Sequence, residues 1–152
     1  MANTQAICNS FRVDLLNGLH AFGASVIRAA TTKDSFKAAL YLASATVNST
    51  TTAYSSTNEV SGTNYTAGGV AITNGNAPSN TTSTAFWTPS ASFAWTTVTL
   101  STAFDCVLIY NSTAAGSNSV AVYTFGSQTV TAGNFTITMP TNDASTGLLR
   151  LA

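Results

Sequence analysis

The chain has 152 residues, no formal net charge, 45% apolar residues and only 7% charged ones. A typical soluble domain is about a quarter charged, so Thr, Ser, Asn, Ala and Gly stand where Lys and Glu ordinarily would. That length suits a single domain with its own core. The only cations, Arg12, Arg28, Lys33, Lys37 and Arg150, are too few to track a phosphate backbone.

Residues 4–22 are predicted as the one helix. Ile7, Phe11, Leu15, Leu19 and Phe22 recur at spacings of four and three, which puts them on one helical face. Asn3 or Thr4 would cap its start, and Gly18 and Gly23 bracket its end. The domain organisation is then a helical segment over 1–23, packed on the domain or on a neighbour, and one β-sandwich domain over 24–152.

Ser35–Val47 alternates with period two and is predicted as a strand with one buried face. Residues 48–67 are rich in Thr, Ser and Asn and read as a long loop with one turn near Asn58–Val60. Gly69–Thr73 is a short strand. Residues 74–84 carry strong turn chemistry and form a flexible loop. Loops of this length in a compact domain are often contact elements.

The second half is strand-dense. Ala85–Thr88 and Ser92–Leu100 are separated by Pro89. Phe104–Tyr110 (FDCVLIY) is the most apolar stretch and is predicted as the central strand. Ser119–Phe125 alternates after a turn at 116–118. Gln128–Thr131 and Asn134–Met139 flank Ala132–Gly133, a candidate tight turn, and Leu148–Leu151 closes the sheet. About seven short strands with Gly and Asn turns give a mainly β fold, a β-sandwich or jelly-roll-like domain with one N-terminal amphipathic helix.

Catalytic chemistry finds little to work with. The single histidine, His20, has apolar neighbours and no serine in a nucleophile elbow, so it reads as a structural residue, capped or partly exposed. Asp14, Asp34, Glu59, Asp105 and Asp143 form no evident acid–base pair. Asp105 reads as an outward charge that blocks edge pairing. Cys8 and Cys106 have no metal-ligand spacing and read as reduced, inert thiols. No catalytic, cofactor or metal residue is therefore expected, and the chain is predicted not to be an enzyme. Neither an export signal nor an apolar run of membrane-spanning length is visible, so synthesis in a cytoplasm without membrane insertion is expected.

Several segments are long enough to serve as family markers. MANTQAICNSF, FKAALYLASATV, TAYSSTNEVSGTNYTAGGVAIT, VLIYNSTA and VAVYTFGSQTVTAGNFTITMP resemble a family of small virion proteins of tailed bacteriophages. The resemblance spans residues 1–73 and 104–152 and is loose between 74 and 100. It implies a structural role on the particle, as a capsid cement or decoration protein or another minor head or tail component. The implied partners are the major capsid protein or other virion proteins and further copies of the chain, with a trimer favoured. Its implied location is the virion, and neither nucleic acid nor membrane is an expected partner. Ile7, Phe11, Tyr54, Tyr65, Trp87 and Trp95 are the candidate subunit or capsid contacts, aromatic anchors being enriched at interfaces, while filling the sandwich core is the competing reading for Trp87, Trp95, Tyr54 and Tyr65. The N-terminal segment and the 48–67 loop are expected to make those contacts, because neither is needed to complete the sheet. The alternative is a tail- or fibre-associated module that stacks host glycans on Trp87, Trp95 or Tyr65.

Overall fold

The computed structural model describes residues 3–8, 10, 11, 15, 19, 20, 22, 33–81 and 84–151. These residues form a mainly β structure of eight strands: β1 (Ala6–Ile7), β2 (Phe36–Leu42), β3 (Val70–Ala71), β4 (Ser79–Thr81), β5 (Thr84–Trp87), β6 (Phe93–Asn111), β7 (Ser119–Ile137) and β8 (Leu149–Leu151). They make two antiparallel sheets, one ordered β1-β7-β6-β2-β3 and the other β4-β5-β8.

The FDCVLIY run is central because strands pair along both of its edges and both of its faces are buried. β6 pairs with β2 from Phe104 to Asn111 and with β7 along its whole length. Phe104, Cys106, Val107, Leu108 and Ile109 are all fully buried. A strand covered on both faces needs apolar residues at every position rather than at alternate ones.

The β6–β7 ribbon is long and sharply bent. Nineteen extended residues would span about 60 Å, whereas a chain of this size folds to a body roughly 30–40 Å across. The bend is visible in the side chains. Phe125 and Phe135 lie ten positions apart on β7, yet their ring centroids are 5.3 Å apart, and both rings pack on Phe104. The pairing register slips repeatedly between Trp95 and Cys106. Thr97 and Ala132 have left-handed backbone (φ 52° and 46°) within the strands. Side chains replace ladder bonds at the bend. Asn134 Oδ1 accepts from Thr97 N at 2.8 Å, and Thr99 Oγ1 accepts from Ala132 N at 3.0 Å. Bulges of this kind curve a ribbon and interrupt its free edge.

The strands expected over 92–100 and 104–110 are thus one continuous strand, as are those over 119–125, 128–131 and 134–139. Ala132–Gly133 is a bulge inside β7 and not a turn. The helix expected over 4–22 is corrected at its start: Ala6 and Ile7 are captured by the edge of β7, opposite Val122 and Ala121. Ser10, Phe11 and Leu15 have helical backbone, but 12–14 and 16–18 lie outside the described residues, and no helix is assigned among those described.

One apolar cluster joins both sheets. Trp87 of β5 and Leu149 of β8 belong to the same buried set as Phe36, Leu40 and Leu108 of the larger sheet. The Trp87 ring meets Phe22 at 4.7 Å and Phe36 at 6.3 Å.

Candidate functional site

Three of the six residues singled out as contacts lie inside the fold. Phe11 is 2% exposed, and Trp87 and Trp95 are each 3% exposed. Trp95 packs on Phe135, and Trp87 Nε1 donates to the Asn76 carbonyl at 3.0 Å. Rings so covered present no face to a sugar or a partner in this conformation. Ile7 is half-buried in β1. Tyr54 and Tyr65 are half-buried and are drawn together by a group the sequence did not flag.

That group is Glu59, which is buried within the polar loop. Tyr54 donates to its Oε2 at 2.6 Å, while Tyr65 and the Gly68 amide donate to its Oε1 at 2.8 Å each. The Tyr54 ring stacks on Tyr110 at 4.6 Å, and Tyr110 donates to the Gly68 carbonyl at 2.8 Å. Tyr41 donates to the Ser55 carbonyl, and Tyr65 accepts from the Leu40 amide at 3.0 Å. Burial, followed by the hydrogen bond and charge of Glu59, raises the Tyr54 and Tyr65 phenols far above the ordinary value. Tyr41 is pushed up to about 12, mainly by burial.

This cluster clamps the loop onto β2. Val60 N donates to Leu40 O and Leu42 N to Asn58 O, both at 3.0 Å, so residues 58–60 extend the sheet beside β2. Glycine is required where the clamp ends. Gly69 has φ +72°, and a Cβ there would collide with the Ala38 carbonyl. The 48–67 loop therefore completes the sheet it was expected to leave free. A carboxylate accepting from phenols and an amide is charge-assisted bonding, suited to rigid anchoring.

The N-terminal segment is anchored as well. Asn3 Nδ2 donates to Asp105 and its Oδ1 accepts from Val47 N, and Cys8 N donates to Val120 O. Asp105 is thus a half-buried tie on the central strand and not an edge blocker. Both thiols are free and buried, which pushes Cys8 up to about 11 and Cys106 up to about 12.

The segment's far end is held by Asn111. Its Oδ1 accepts from the Thr113 and Ala114 amides at 3.0 and 3.1 Å, which fixes the orientation of the side-chain amide. Its Nδ2, with two hydrogens to donate, lies 3.0 Å from Asp34 Oδ2, 3.1 Å from His20 Nδ1 and 3.4 Å from Leu19 O. His20 is buried, not partly exposed, with Phe11 stacked obliquely on it at 5.0 Å.

His20 also lines an apolar cavity of about 250 Å³ between Phe11, Leu15 and Phe22 on one side and Trp87, Leu149 and Leu151 on the other. Leu151, 44% exposed, marks its mouth. Asp143 lies in a separate surface turn, where hydroxyls of Thr141 and Thr146 and nearby amides hold its carboxyl well below the usual range. Among the described residues, no three His, Cys, Asp or Glu side chains are grouped to hold a metal, and no helix is long and apolar enough to cross a membrane. Comparison with protein families, with curated proteins and with solved structures finds no match to this chain.

Proposed function

We propose that the chain is a non-enzymatic virion structural protein of a tailed phage. Its role in this reading is capsid cement: it binds the head shell as a cyclic oligomer and stabilises the shell by mass action. The two sheets would form a sandwich, a reading supported by the contact of Trp87 with Phe36 across them.

The observation that carries this reading is where the charges lie. Among the described residues Asp34 and Glu59 are buried, and Lys37, Asp105 and Asp143 are half-buried. Lys33 and Arg150 are the exposed charged residues among those described, and most of the other described exposed positions are Ser, Thr, Asn or Gly. Such a surface gives little long-range repulsion between copies, which suits a protein packed among neighbours. The family resemblance points the same way. The anchored loops add rigid, uncharged relief that would lose little entropy on docking.

The test is to titrate purified chain onto shells assembled without it. Saturable binding at a fixed number of copies per lattice site, with a higher shell disruption temperature, is expected. An unchanged disruption temperature and no saturable binding would remove the proposal. Because only 7% of the residues are charged, binding should change little between about 50 and 500 mM salt.

A further inference from the structure

We infer that the cleft between β1 and residues 140–150 binds an extended peptide segment of a partner protein, and that Arg150 captures an acidic side chain of that segment. The inference does not rest on the virion reading. The cleft has a volume of about 410 Å³. Gln5, Ala6 and Ile7 form one wall, and Pro140, Leu148 and Arg150 form the other. Tyr123 donates to the Leu148 carbonyl and ties the two walls together.

The first wall offers backbone groups. β1 is the outermost strand of the larger sheet. Cys8 N donates to Val120 O, and Ala6 stands opposite Val122 two positions earlier. In an antiparallel pair, alternate residues exchange backbone bonds with the partner strand. Ala6 and Cys8 therefore face β7, and the N–H and C=O of Gln5 and Ile7 face away from the sheet. Among the described residues, no strand pairs with that outer edge. The edge is short because Thr4 leaves it to donate to the Val47 carbonyl. An open edge of this kind takes an added strand, which brings acceptors for its N–H groups and donors for its carbonyls. A free oxyanion brings acceptors only and would leave both carbonyls unmatched.

The second wall offers a charge. Arg150 is exposed, and among the described residues no acid pairs with it. Asp143, the acid nearest in sequence, is already taken up by its own turn: its carboxylate accepts from the Thr141 and Thr146 hydroxyls and the Ser145 and Thr146 amides. A guanidinium presents a planar fork of donors that matches a carboxylate. Between the fork and the strand edge, Val122 and Leu148 give the cleft an apolar part. The segment that fits therefore combines an acid with aliphatic residues in extended backbone. Among the described residues of this chain every acid is buried or half-buried, which favours a different protein over a second copy as the donor of that acid.

Amide NMR of the full chain, titrated with a blocked tetrapeptide of threonine, valine, threonine and glutamate, tests this. Saturable shifts are expected at the amides of Gln5, Ile7, Gly147 and Leu148. The counterpart with glutamine in place of glutamate should bind roughly three- to tenfold more weakly. Raising salt from about 20 to 500 mM should shrink that difference. Arg150→Gln should weaken the glutamate peptide by the same factor and leave the glutamine peptide unchanged. Inorganic phosphate should leave the amides of Gln5 and Ile7 unshifted. The inference is overturned by the absence of saturable shifts, by equal affinity for the two peptides, or by phosphate alone shifting those amides as the peptide does. If the variant does not fold, the comparison of the two peptides on the wild-type chain decides.

Discussion

The chain holds two irregular segments against one sheet with two different polar anchors. The 48–67 loop is held by a buried carboxylate that only accepts, surrounded by groups that only need to donate. The N-terminal segment is held by an amide that accepts on one side and donates on the other. The comparison teaches that a buried polar anchor can be built on one group that only accepts or on one that must fill both roles, and that the second has fewer arrangements open to it.

The largest effect expected from breaking the comparison is at Glu59. Glu59→Ala leaves two phenols and the Gly68 amide without their shared acceptor, and should cost about 3–4 kcal/mol in urea unfolding. Asn111→Ala should cost somewhat less, roughly 2–3 kcal/mol, because the segment it releases lies nearer the chain end. The order of the two would sharpen the contrast, and a larger loss at Asn111 would reverse it. Tyr54→Phe removes one donor to Glu59 and keeps the ring stack on Tyr110, so about 1–2 kcal/mol is expected.

Alkali gives a further separation. All five tyrosines have raised pKa values, chiefly through burial, and four of them sit in or beside the Glu59 anchor. The folded chain holds these protons after the unfolded chain has lost them, so their stabilisation is complete below about pH 10 and falls as pH rises beyond it. Phenolate absorbance should show no ionisation centred on pH 10 and should rise together with unfolding. A simple titration near pH 10 in the folded chain would contradict the anchor's geometry.

The sequence was most legible where burial dictated residue type. The apolar run Phe104–Tyr110 marked the central strand because a strand covered on both faces cannot alternate. It was least legible where backbone geometry imitates punctuation. Ala132–Gly133 looks like a turn, and residues 101–103 fall between two expected strands, yet both are irregularities within one bent ribbon, and a bulge uses the same left-handed and small residues as a turn. The helical spacing of Ile7 and Phe11 was misleading at its start because a two-residue edge pairing has no periodicity to detect. Glu59 had a weak signal, being the only acidic residue between Asp34 and Asp105 and flanked by Tyr54 and Tyr65. The pairing of Asn111 with His20 spans 91 positions and left no local trace.

The most direct test of the proposed role is the copy number of this chain against the major capsid protein in purified particles. A ratio near one to one, or one trimer per lattice site, is the result expected of a cement protein. A ratio lower by about an order of magnitude or more would contradict that role and move the chain to the tail, portal or fibre.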